Sequence, residues 1–285
     1  MDTEDFLDEI VGQLKKVSSL IKREISMIED KGRSVGNSQP SSYEEDMMIN
    51  ILITQKSYLE FYNKIFNFLI DKFSDSTPEE DFFFYLPLLR TLIEIYACLL
   101  FFCFQNKTKQ IALVLVQYFL ATIRISGKSK KDEKDSNYRE TYNHFKHFID
   151  KEGLSIPGEV SGFSSKWLDR SGYNFPKVPN MLNSQWISMA SPQFNLRIQS
   201  ADLDHYYVYK ALSNYVHGNI FSRQTHGNEK FWIISETWML SIQIIELVSV
   251  KILDNSFRVE ISKCIKEFIN SRKRFINLWV SRNDS

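Results

Sequence analysis

The segment FLDEIVGQLKKVSSLIKREISMI constrains the chain more than any other. Phe6, Ile10, Val11, Leu14, Val17, Leu20, Ile21, Ile25 and Ile28 recur three and four residues apart. That period gathers them on one stripe of an α-helix but scatters them over both faces of a strand, so residues 4–31 are expected to form an amphipathic helix. Strand-type alternation is absent elsewhere. With only 10 glycines and 7 prolines in 285 residues, long helical runs go uninterrupted.

Further runs extend this pattern. KGRSVGNSQPSS (31–42) reads as a polar linker. Ser42 and Glu45 then stand at capping-box spacing, opening a helix to about Phe73. Thr77, Pro78 and Glu80 signal another start, and Pro87 is expected to kink or restart that helix. An apolar run from Ile111 to Ile125 precedes the charged stretch SGKSKKDEKDS (126–136), which is expected to be mobile. Residues 137–153 form a shorter helix closed by Gly153. Four of the seven prolines and four of the ten glycines fall between 153 and 192, marking an irregular excursion. Helices are expected after Ser200, from Phe231 to Leu253 and from Phe257 to Val280. The expected fold class is all-α, a single bundle of about seven or eight helices. Its organisation is an N-terminal amphipathic helix over 1–36 and a helical domain over 41–285, with the excursion at 153–199.

Lys plus Arg and Asp plus Glu are both 35, so no overall field draws the chain to nucleic acid or anionic lipid. Cys98, Cys103 and Cys264 sit in apolar contexts without paired spacing, which points to a reducing compartment. The acidic N-terminal run MDTEDFLDEI lacks a signal-peptide pattern, so the expected place is the cytoplasm. Residues 82–104 are nearly continuous apolar, but Arg90, Glu94 and Pro87 interrupt them. A buried core segment is therefore expected rather than a membrane span.

Polar residues inside apolar faces are the candidate chemistry. Arg90 and Glu94 lie four apart in LLRTLIEIYACLLFF and share a helix face. A buried charge needs a partner, so they are expected to pair with each other or with a common polar group. Two readings follow: a structural ion pair, or a site in which Arg90 holds an anion and Glu94 orients a base. His217 follows Ser213 by one turn in HYYVYKALSNYVHGNIFSR and precedes Gly218. It either closes a helix at its C-terminus or joins a buried polar cluster with Arg90, Glu94 and Ser213. Glu246, inside an apolar run, is a further member by the same logic. His144, His147 and Asp150 stand three apart, but a solvated polar face explains them better than a metal site. No metal and no cofactor is expected.

Arg90 and Glu94, followed more than a hundred residues later by Tyr209, Leu212, Ser213, Tyr215, Val216, His217 and Gly218, resemble a bacterial all-helical family of unknown function that is loosely HEPN-like. HEPN proteins include ribonucleases and antiphage or toxin effectors. The resemblance implies an alternative catalytic pair in RETYNH: Arg139 would hold the scissile phosphate and His144 would shuttle protons. The expectation is a cytoplasmic bacterial helical protein that works by binding, as a defence or stress component. The alternatives are a metal-independent HEPN-like ribonuclease or toxin, and a membrane-associated helical protein. Expected partners are another protein or a second copy of the chain, with RNA for the ribonuclease and no membrane.

Overall fold

The computed structural model describes residues 3–36, 42–74 and 84–104. It also describes the helical positions 110, 143, 146, 150, 151, 208–210, 212, 213, 233, 234, 236–238, 240, 241, 243, 244, 259, 260, 263, 264, 266, 267, 270, 271 and 274. Among the described residues there is helix and no strand, so the fold is all-α. Three helices have defined ends: α1 (Thr3–Gly36), α2 (Tyr43–Ser74) and α3 (Leu86–Phe104).

Helix α1 buries the stripe that its spacing announces. Ile10, Leu14, Val17, Ile21 and Ile28 are each at most 1% exposed. The helix runs further than the polar run from Lys31 suggests, reaching Gly36. The segment KGRSVG holds no proline, so nothing interrupts the backbone ladder before its second glycine. Helix α2 starts at the expected cap, where the Glu45 amide donates to Ser42 Oγ at 3.2 Å and the Asp46 amide to the Ser42 carbonyl at 3.2 Å. Helix α3 begins at Leu86 with Pro87 in its first turn, where the missing N–H costs nothing. The charged stretch 126–136 and the excursion 153–199 lie outside the described residues.

The elements pack side by side. Helix α2 lies against α1 and against α3. Tyr58 meets Phe102 at 6.0 Å between ring centroids, and Phe68 meets Tyr85 edge-on at 5.8 Å, so α2 and α3 run antiparallel. Between α1 and α2, Ser18 donates to Asn67 Oδ1 at 2.6 Å and Lys56 pairs with Glu29 at 2.8 Å. Leu92, Ile93, Ile95, Leu99 and Leu100 are each at most 4% exposed, as an apolar run packed within the protein requires. No helix among the described residues is long and apolar enough to cross a membrane.

The other flank of α1 faces residues far along the chain. Glu9 pairs with Arg274, Lys16 with Glu267 and Arg23 with Glu260. Each step of seven up α1 matches a step of seven down the later segment, so the two run antiparallel with heptad register. Beneath these ion pairs lies a buried polar clasp. Gln13 Nε2 donates to Ser271 Oγ at 2.8 Å, and Ser271 Oγ donates to Glu9 Oε1 at 2.7 Å. Trp238 Nε1 donates to Gln13 Oε1 at 2.9 Å. Gln13, Trp238 and Ser271 are all buried, and each polar atom of the Gln13 amide has a partner.

Candidate functional site

Helix α3 has one flank that stays partly open. Pro87, Arg90, Glu94 and Cys98 follow each other at steps of three and four with Thr91 beside Arg90, and none is buried. On the opposite flank Leu89, Leu92, Ile93, Leu99 and Leu100 are buried. Spacing alone puts Arg90 and Glu94 together; a second helical segment supplies the residue that joins them.

That residue is Tyr209, which is 8% exposed. The Arg90 guanidinium lies over its ring, 5.1 Å from the centroid, as a cation on an aromatic face. Arg90 Nη2 donates to the Tyr209 hydroxyl at 3.1 Å, and that hydroxyl donates to Glu94 Oε1 at 3.1 Å. Arg90 Nε stands 3.2 Å from the same Glu94 oxygen. Its N–H makes no hydrogen bond, so this contact is an ion pair held by charge alone. The three groups close a triangle in which the hydroxyl accepts from the cation and donates to the anion. Burial raises the Tyr209 hydroxyl above its ordinary value of 10.0, Arg90 lowers it and the Glu94 charge raises it again. Ser213 Oγ donates to the Tyr209 carbonyl at 2.8 Å, which ties its proton to the preceding turn.

The cluster is more open than its apolar surroundings suggest. The Arg90 side chain is 20% exposed and that of Glu94 is 37% exposed. Arg90 Nη1 and Glu94 Oε2 take no part in the triangle, so the cluster keeps a donor on the cation and an acceptor on the anion. One turn further along α3, Cys98 sits next to the Tyr58 hydroxyl, and burial pushes its thiol up to about 11. Such a thiol stays protonated and is a poor nucleophile.

Of the other residues singled out in the sequence, His217, Tyr215, Gly218, Arg139, His144, His147 and Glu246 lie outside the described residues. Asp150 is exposed on a helix, and Cys98 and Cys264 are free thiols. The Gln13–Trp238–Ser271 clasp escapes sequence reading, although Gln13 carries the same mark as Arg90 and Glu94: a polar residue beside an apolar stripe.

The fold and cluster define an all-helical protein with an arginine, a tyrosine and a glutamate joined across two helical segments. The chain belongs to the family of unknown function DUF5677, which matches residues 85–230. The matched span includes Arg90, Glu94 and Tyr209, whereas α1, α2 and the 259–274 segment fall outside it. No curated protein and no solved structure matches the chain.

Proposed function

We propose that the protein acts by binding, and that Arg90 and Glu94 are its point of recognition. The observation that carries this reading is the Tyr209 hydroxyl, which bridges the pair at 3.1 Å on each side and leaves Arg90 Nη1 and Glu94 Oε2 to a ligand. A remaining donor on Arg90 and a remaining acceptor on Glu94 suit a ligand that both accepts and donates, such as an amide or a nucleobase. The surrounding chemistry favours holding over reacting. Cys98 is kept protonated, the Ser213 proton is committed to a carbonyl, and the Tyr209 hydroxyl is raised by burial.

The finer reading is a bacterial, cytoplasmic defence or stress component of HEPN-like type, and it rests on the sequence resemblance. So does the alternative of a ribonuclease using Arg139 and His144, whereas the addition of His217 to the cluster rests on its place among apolar residues one turn after Ser213.

The experiment is a thermal-shift screen with guanosine monophosphate, adenosine monophosphate and N-acetylated amino-acid amides, beside a cleavage assay on labelled RNA. At least one small molecule should raise the melting temperature of the wild type. The shift should vanish in Arg90→Lys, which keeps the charge and loses the planar fork, and in Glu94→Gln. RNA cleavage by the wild type that is lost in His144→Ala and kept in Arg90→Lys would replace binding by the ribonuclease reading.

A further inference from the structure

Helix α2 buries one side and leaves the other exposed in an unusual way. Leu59, Tyr62, Phe66 and Leu69 are fully buried. On the outer side Ile53, Ser57, Phe61, Lys64, Phe68 and Asp71 are all exposed. They recur at steps of three and four, so they form one straight stripe about 27 Å long at 1.5 Å per residue. Ile53 is 42% exposed, Phe61 51% and Phe68 44%. The edge-on contact between Phe68 and Tyr85 carries the stripe onto the start of α3, where Phe84 is 71% exposed. Large exposed apolar groups thus alternate with Ser57, Lys64 and Asp71 along one line, a pattern that suits a partner helix offering both apolar and charged groups.

Charge identifies the occupant. Lys64 and Asp71 are the charged residues of the stripe, seven positions apart and of opposite sign. Among the described residues neither takes part in an ion pair. When two copies of α2 cross antiparallel about a two-fold axis level with Asn67 and Phe68, each Lys64 faces the other copy's Asp71. The two Phe68 rings then meet at the axis, and Phe61 reaches the end of the other α2, beside the start of α3. A parallel arrangement sets lysine on lysine and aspartate on aspartate. The charges of the stripe are thus their own complement, as an isologous interface requires.

We propose that the chain forms an antiparallel homodimer through the outer face of α2, with Lys64 of each copy paired with Asp71 of the other. This interface is independent of the Arg90–Glu94 recognition point. The test is sedimentation equilibrium on the full chain up to about 100 μM, an ample range for an interface of this kind. The wild type should dimerise. Lys64→Asp and Asp71→Lys should each weaken the dimer by about tenfold or more, because like charges then face each other. The double substitution K64D/D71K should restore it, and an equimolar mixture of the two single variants should form a mixed dimer. All four positions of contact are exposed, so each variant should keep the wild-type melting curve at low concentration. A monomeric wild type overturns the proposal. So does a dimer that the single charge reversals leave intact, or one that the double substitution fails to recover.

Discussion

The polar clusters on α1 and α3 that reach the later helical segments are built on opposite plans. In the clasp on α1, Gln13, Trp238 and Ser271 are buried and saturate each other's hydrogen bonds. In the cluster on α3, Arg90 and Glu94 are partly exposed and keep one donor and one acceptor outside the triangle that Tyr209 closes. A saturated network has nothing left to offer a ligand and contributes only to the fold. An unsaturated one at a partly open flank costs little there, because water fills its remaining valences, and it can exchange that water for a ligand. The matched family region follows the same division, since it contains the open cluster and leaves out α1 and Ser271.

The clasp is the place where the comparison breaks most visibly. Trp238 is 1% exposed, so Trp238→Ala should cost about 3–5 kcal/mol through lost packing and an orphaned Gln13 carbonyl oxygen. Urea denaturation should show a large fall in midpoint, with ligand binding at Arg90 unchanged in the fraction that stays folded.

Glu24 sharpens the contrast, because it breaks the rule that the clasp obeys. It is 2% exposed on the buried stripe of α1, and among the described residues neither of its carboxyl oxygens has a hydrogen-bond partner. Burial pushes its carboxyl up from 4.5 to about 7, against a smaller opposing effect of Arg23. Below pH 4.5 the folded and unfolded chains both hold this proton, and the residue is neutral to stability. As pH rises to 7, the unfolded chain releases the proton while the folded chain keeps it, so stability falls. Above pH 7 the loss is constant at about 3 kcal/mol. Glu24→Gln should therefore raise stability by about that amount at pH 8 and leave it unchanged at pH 4. A variant that is equally stabilised at both values would show that charge is not the cause.

The smallest effect belongs to the open cluster. Tyr209→Phe removes the bridge, but the Arg90–Glu94 pair remains within reach of water, so the stability loss should stay under about 1 kcal/mol. Calorimetry should show a small shift in melting temperature together with weakened ligand binding. A loss as large as that of Trp238→Ala would make this cluster a second clasp.

The readable parts of this molecule are those governed by spacing within a helix. The α1 stripe from Ile10 to Ile28, the Ser42 cap and the Arg90–Glu94 pairing all follow from steps of three and four. Tyr209 stands 115 residues beyond Glu94, and Ser271 stands 258 beyond Gln13. No local rule specifies which distant helix turns toward a polar residue, so Ser271 is invisible in the sequence, and Tyr209 stands out only as part of the motif that carries the family resemblance. What the sequence does carry is the need for them. Gln13, Glu24, Arg90 and Glu94 each break or flank an apolar face, and each marks a place where packing had to be solved by something remote. For Gln13 and Arg90 the fold supplies that partner, and for Glu24 the described residues do not.

The heptad pairing of Glu9, Lys16 and Arg23 with Arg274, Glu267 and Glu260 has a consequence for synthesis. The ribosome makes α1 well before Trp238 and the 259–274 segment, so Glu9, Gln13, Lys16 and Arg23 meet these partners only when that later part of the chain has left the exit tunnel. At about 5–20 residues per second, that interval lasts on the order of ten seconds to a minute. Through that time α1 can pair with α2 but Gln13 lacks these partners. The contact of α1 with the 259–274 segment therefore closes late in synthesis, across the 237 residues that separate Arg23 from Glu260.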